Sequence, residues 1–286
     1  MTTVRTVLTI AALTLREASR RRVVLALTAL TVVLLALSGW GFSRLAAESG
    51  GTLTSGEARL TASIVLNLVM FGFSLIAALG TAFLAGPTLS GETESGIALA
   101  LLARPIRRSA FLLGKWLGLV VFGSGFVVLA GLAQILIVRA VVGYWPPEPA
   151  TALGLLAAQT AVLLTLAVLL STAISPMASG VVAVGLFCTT WVAGVVGGVG
   201  ASLGNAAVER VGSVSRMLLP TDGLWRGAMH GFQDPSALIQ ISGGADAEAF
   251  PFLSAAPLTA GYLAWAALWV AMIWGLAAVS FVRKDL

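Results

Sequence analysis

LGLLAAQTAVLLTLAVLLSTAISPMASGVVAVGLFCTTWVAGVVGGVGASL, residues 153–203, holds no Asp, Glu, Lys or Arg from end to end. A helix needs about 20 predominantly apolar residues to cross the hydrocarbon core of a bilayer, so this stretch is too long for one crossing and suits two. Ser175, Pro176 and Met177 divide it. Proline lacks a backbone donor and disfavours helix at the residue before it, which fits a tight turn between antiparallel spans, Leu153 to Ile174 and Ala178 to Leu203. A single kinked segment is the alternative, and its length argues against it.

Working outward, four more runs of spanning length are bounded by charge or turn residues: Val23 to Phe42, Ile64 to Ala85, Leu117 to Val138 and Thr259 to Phe281. The composition agrees. Of 286 residues, 58% are hydrophobic and 10% charged, with a mean hydropathy of +0.98, against roughly 25% charged in a soluble domain. The same figures exclude a disordered chain. An all-α integral membrane protein with six transmembrane helices is therefore predicted, residues 1–286 forming a single transmembrane domain.

Six crossings put both ends on one side. Arg5, Arg16, Arg20, Arg21, Arg22, Arg104, Arg107, Arg108, Lys115, Arg283 and Lys284 share that side, while Arg44, Arg59, Arg139, Arg210, Arg216 and Arg226 lie on the other. Basic residues favour the cytoplasmic face, so both termini are expected in the cytoplasm of a cell (inner or plasma) membrane protein. The net charge of +5 is thereby accounted for without nucleic acid, which would call for a basic stripe with stacking aromatics. A signal peptide ending near Ala36-Leu37-Ser38 is the competing reading of the first run. The long basic leader and the continuation through Trp40 and Phe42 favour an uncleaved anchor.

Outside the spans, Val4, Val7, Leu8, Ala11, Leu15 and Ala18 recur at helical spacing, predicting an amphipathic interfacial helix within residues 1–22. Residues 87–110 form a cytoplasmic segment with two carboxylates, Glu92 and Glu94, a short apolar helix ending before Pro105, and a basic exit. A solvated loop obeying the charge rule is the plainer reading of it. Residues 205–257 form a long external connection in which Trp225, Met229 and Phe232 fall at i, i+4 and i+7, so that a short helix could lay them into the outer interface as a gate; simple packing is the default.

Several chemistries are missing. One cysteine (Cys188) and one histidine (His230) cannot assemble a Cys/His pair or a His-rich metal cluster, so no catalytic residue, metal ligand or cofactor is expected. Gly123-Ser124-Gly125 has no histidine at membrane depth to act as base. Gly114-Lys115 resembles the end of a phosphate-binding loop, yet Ser109 stands where the first glycine belongs and Trp116 where Ser or Thr belongs. The span centres carry no ionisable residue, only Asn67, Gln134 and Gln159 as polar exceptions, which weighs against a secondary transporter. Gly194/Gly198 and Gly200/Gly204 pairs suit close helix packing, within the chain or across a homodimer.

Together these features resemble the permease subunit of type-2 ATP-binding-cassette transporters, over essentially the whole chain. The most specific part is Gly91-Glu92-Thr93-Glu94-Ser95-Gly96 followed by Leu101-Leu102-Ala103-Arg104-Pro105-Ile106-Arg107-Arg108 and Leu113-Gly114-Lys115, similar to the Glu, Gly, Leu-Leu, Pro, Arg and Gly-Lys that recur around that family's coupling helix. The Pro220-Thr221-Asp222 element with Arg226 and the closing Arg283-Lys284-Asp285 are similar to family elements too. Thr93 and Ile97 depart from the pattern, which commonly has Arg and Thr there. Within the family the chain looks closest to permeases of the copper-enzyme maturation kind.

The resemblance implies two permease chains (a homodimer or a pair with another permease) and two separate ABC ATPase subunits. Glu92, Gly96, Leu101, Leu102, Pro105 and Arg108 would couple to the ATPase, with Leu99 and Leu102 as buried anchors. The second and fifth spans would line the path, with Phe71, Phe73, Leu75, Phe187 and Trp191 suiting a lipophilic or amphipathic cargo better than a free ion. A non-transporting scaffold that passes ATPase motion to a periplasmic partner is the alternative.

Overall fold

The computed structural model describes residues 3–48, 56–94, 107–234, 250–254 and 256–283. Among these residues the regular structure is helical, without strands, and six helices are long and apolar enough to span a membrane. In chain order the helices are α1 (Thr3–Ser19), α2 (Arg22–Glu48), α3 (Gly56–Glu94), α4 (Arg108–Val142), α5 (Pro149–Ala173), α6 (Pro176–Ser202), α7 (Ala206–Leu218), α8 (Thr221–Phe232) and α9 (Ala260–Arg283). The spans are α2 to α6 and α9.

The charge-free stretch divides as its proline requires. α5 stops at Ala173, Ile174 and Ser175 take extended conformations, and Pro176 is the first residue of α6, where its missing N–H costs no helical bond. α5 is the centre of the bundle: 67% of its most apolar window is buried in the protein, against 11% for α2. α2 offers only one stripe, Leu27, Thr31, Ser38 and Phe42, and leaves Leu25, Val32, Leu37 and Trp40 facing outward.

Polar side chains at depth hold the spans together. Gln134 of α4 donates to the Ser38 hydroxyl of α2 at 2.6 Å, and Ser124 of α4 donates to the Ala157 carbonyl of α5 at 3.0 Å. In a medium without water such groups must find partners in the protein, and each bond fixes the rotation of one helix against another.

Three boundaries differ from the sequence reading. The second span ends at Ala85 as expected, but its helix does not: it continues through Pro87 to Glu94, because a proline removes one bond of the ladder and a long helix survives that loss with at most a kink. α4 begins at Arg108, well before Leu117, so Gly114 and Lys115 lie on a helix. Among the described residues the connection after α6 contains two helices instead of one. The first of them, α7, starts at Asn205, whose Oδ1 accepts from the amides of Ala207 and Val208.

α7 folds back directly onto α6. A Cβ at Gly197 would lie 2.6 Å from the Gly212 Cα, and one at Gly200 would lie 2.6 Å from the Glu209 nitrogen. The glycines that suggested a seam are thus used inside the chain, at three-residue spacing: Gly194, Gly197 and Gly200 receive Asp222 and α7. Gly204 instead ends the segment with φ +66, a left-handed conformation that favours glycine.

Candidate functional site

α3 and α6 lie side by side, and the helix period puts Phe71 and Leu75 on the face of α3 that meets α6. There Phe71 stacks on Trp191 at 4.6 Å between ring centroids and on Phe187 at 6.4 Å. Trp225 of α8 closes on the same ring at 5.4 Å and Phe252 at 5.8 Å. Four of the side chains expected to line the path therefore come together, Phe71, Leu75, Phe187 and Trp191. Phe73 does not: it faces another side of α3 and is buried in the main core, 1% exposed. Phe252 belongs to the cluster and carries no signal in the sequence, because only the fold returns residues 250–254 to α3.

Phe252 is held by its backbone. Its carbonyl accepts from Asn67 Nδ2 of α3 at 3.1 Å and from Gln233 Nε2 at 2.8 Å. Beside the rings runs a buried polar chain: Ser74 donates to Gln159 Oε1 at 2.9 Å, Gln159 donates to the Thr221 carbonyl at 3.3 Å, and the hydroxyls of Thr221 and Thr190 lie 3.1 Å apart. Spans α3, α5 and α6 and the start of α8 are thereby joined at one level.

α8 has the helix expected around Trp225, Met229 and Phe232, but not its orientation. The three side chains are 1%, 1% and 0% exposed and belong to the main core instead of lying in the outer interface. The reason is that α8 is pinned at both ends against the bundle. At its far end the Tyr144 hydroxyl donates to the Phe232 carbonyl at 2.7 Å and the Glu148 amide to the Gly231 carbonyl at 3.1 Å. Burial, reinforced by the charge of Asp234, pushes the Tyr144 phenol well above its ordinary range, so it remains a donor. At its start Asp222, buried, accepts at Oδ2 from Arg216 Nε (3.0 Å) and Arg226 Nε (3.2 Å), and Arg226 Nη2 donates to the Gly194 carbonyl of α6 at 2.8 Å. This puts the Asp222 and Arg226 of the sequence motif to work as a clamp on α6, α7 and α8.

At the opposite end of α3 and α6 lies an apolar groove of about 420 Å³, lined by Leu79 and Phe83 of α3 and by Met177, Gly180, Val181 and Val184 of α6. Both residue sets lie on the α1 side of the membrane: α3 is the second span and ends there, and α6 is the fifth and begins there.

On that side α1 is docked against α4. Gly114 and Gly118 give it room, since a Cβ at Gly114 would lie 2.7 Å from the Ile10 Cβ and one at Gly118 2.7 Å from the Ala11 carbonyl oxygen. Val7, Thr14 and Ala18 face α4 and are buried, whereas Val4, Leu8 and Leu15 of the expected apolar face point outward. Lys115 Nζ reaches Glu17 Oε2 at 3.4 Å and Arg21 pairs with Glu17 Oε1 at 2.6 Å. Partial burial acts to raise the Glu17 carboxyl, but the hydrogen bonds and charges of Arg21 and Lys115 outweigh it and hold the pKa below the ordinary value. The Gly-Lys pair of the family-like motif thus serves here as the seat of α1, a role that sequence spacing did not reveal; the i, i+4 placement of Glu17 and Arg21 was its only local trace.

Of the residues expected to couple to an ATPase, Glu92 falls in the last turn of α3, and Arg108 opens α4, its Nη1 donating to the Val282 carbonyl of α9 at 3.2 Å. Gly96, Leu99, Leu101, Leu102 and Pro105 lie outside the described residues. The family model described as ABC-2 family transporter protein matches residues 8–286. No curated protein matches the sequence.

Proposed function

We propose, from the premise that the chain belongs to the ABC-2 transporter family as a membrane-spanning permease subunit, that it carries a lipophilic cargo outward between α3 and α6. One observation supports this reading above the others: the same two helices are closed by five aromatic rings toward one side of the membrane and open as an apolar groove toward the other. That is the form expected of a path loaded from the α1 side and sealed at its exit. An apolar lining rewards burial of apolar surface and offers nothing to a hydrated ion.

The family implies an ABC ATPase partner in the membrane assembly. In our reading ATP hydrolysis takes place on that separate chain, two permease chains pair, both termini are cytoplasmic in the plasma membrane, and residues 92–108 receive the stroke. α8 is then the lid, with Trp225 as the side chain that touches the plug and Met229 and Phe232 as its anchors in the core.

The test is reconstitution of the permease with its ATPase in vesicles. Gly180→Phe, which fills the groove, should abolish ATP-driven uptake of lipophilic fluorescent dyes while the ATPase stays bound. Phe71→Ala, which unseals the plug, should let the dyes pass without ATP. Intact transport in Gly180→Phe would refute the path, and ATPase-linked motion with no transport of any cargo by the wild type would make the chain a scaffold.

A further inference from the structure

On the membrane side opposite α1, a pocket of about 180 Å³ opens between α7, α8 and the start of α9, lined by Arg216, Arg226, Ser254, Ala256, Thr259 and Tyr262 among others. Arg216 is fixed there from two directions. Asp222 accepts from its Nε, and the Tyr262 hydroxyl donates to its backbone carbonyl at 2.9 Å. Among the described residues its guanidinium is bound through Nε, the group forms part of the pocket wall, and its side chain is 27% exposed. A planar fork whose orientation is already set is suited to bidentate recognition of a phosphate or carboxylate, because little freedom remains to be lost on binding.

The pocket has an apolar border. Val211, Val214, Met217 and Leu218 fall on one side of α7 and are 50%, 56%, 53% and 70% exposed, while Gly212 on the other side packs against α6. Trp265 and Trp269 of α9 donate through their indole nitrogens to the carbonyls of Met217 and Leu218, at 3.2 and 2.8 Å. Trp265, only partly buried, has the one polar bond and apolar body that suit the membrane boundary, whereas Trp269 is buried in the main core. An anion-selective fork and an exposed apolar ridge meeting at that boundary match the two halves of one molecule.

We propose that this pocket binds the phosphate of a membrane phospholipid in the leaflet opposite α1, with its acyl chains along the Val214–Leu218 ridge. The site is separate from the groove on α3 and α6, and its test involves neither ATPase nor transport. Delipidated permease in detergent is titrated with phosphatidylglycerol, with diacylglycerol of the same chains, and with inorganic phosphate, and retained ligand is counted by native mass spectrometry. One phosphatidylglycerol per chain should be retained, diacylglycerol should not, and inorganic phosphate should not displace the lipid.

Arg216→Gln should weaken retention at least tenfold. Ala256→Phe, which fills the pocket without changing a charge, should do the same and carries the test alone if Arg216→Gln fails to assemble. Arg210→Gln, an exposed arginine of α7 outside the pocket, should leave retention unchanged. Unaltered retention in Ala256→Phe, an equal loss in Arg210→Gln, equal retention of diacylglycerol, or displacement by inorganic phosphate would each overturn the proposal, the last by making the ligand a free anion.

Discussion

Gly114→Val should detach α1 from the bundle. The added Cβ would sit 2.7 Å from the Ile10 Cβ, 2.8 Å from its Cγ2 and 2.9 Å from the Val7 carbonyl oxygen. The Ile10 Cβ and the Val7 oxygen are branch-point and backbone atoms, so no rotamer change relieves the contact and the whole helix must move outward. That movement exposes Val7 and Ala18, now 7% and 2% exposed, and part of Ile10, and it separates Lys115 from Glu17. Loss of the apolar burial costs about 3 kcal/mol, and an ion pair of which one partner is 40% exposed adds less than about 1 kcal/mol. A change of that size shifts the docked–undocked equilibrium by roughly a hundredfold or more. Trypsin reads it, because Arg16 is exposed even on docked α1 but cleavage there or at Arg21 needs the helix to unwind, which an undocked α1 does in proportion to its population when reclosing is fast. Gly125→Ala is the control: it lies on the same helix with nothing within 4 Å of the added carbon. Equal cleavage rates for Gly114→Val and wild type at unchanged thermal stability would refute the seat.

Acid should loosen the same contact. Glu17 has a lowered pKa in the folded protein, so its contribution is complete above the ordinary carboxylate value and is lost as pH falls through the lowered one; Glu17→Gln should abolish the pH dependence of cleavage without restoring tight docking. Gly197→Leu should cost about 3 kcal/mol, seen as a fall of several degrees in melting temperature, since the neighbouring atom is the Gly212 Cα and cannot rotate away. Glu92→Lys should release or uncouple the ATPase at unchanged permease levels, read by co-purification and vesicle transport, and Glu94→Lys should matter less. In a Cys188→Ala background, Pro149→Cys should react with an impermeant thiol reagent added to sealed cells and Thr93→Cys should not; the reverse pattern would invert the orientation.

The spans were legible because a bilayer imposes one rule on every residue of a crossing helix, and the 153–203 stretch obeys it without exception. The ends were less so. Pro87 opens the segment set outside the span, yet the 39-residue helix runs on through it to Glu94, at the loss of one bond of its ladder. The amphipathic leader was visible as a helix, but an apolar face does not declare what covers it: Val7 and Ala18 went to α4, while Val4 and Leu8 stayed outward. Only the glycines of the partner helix decide this, and Gly114 and Gly118 carry no label in the sequence that ties them to a segment about 100 residues earlier.

The same asymmetry governs the site. Phe71, Phe187 and Trp191 could be proposed as neighbours because they belong to spans that resemblance pairs, and they do stack. Trp225 and Phe252 could not, since their positions depend on hydrogen bonds between distant segments: Gln159 with Thr221, and Asn67 and Gln233 with the Phe252 carbonyl. The lack of ionisable residues at the span centres weighs against ion coupling, and the structural role of the polar exceptions there, Asn67, Gln134 and Gln159, follows from the same physics. An amide in hydrocarbon must be paired, and here the pairs tie α8 and residues 250–254 to the two helices that carry the groove. Any motion that separates α3 from α6 must therefore break or carry along those bonds, and so the closure at one end of the path cannot be indifferent to what fills the other.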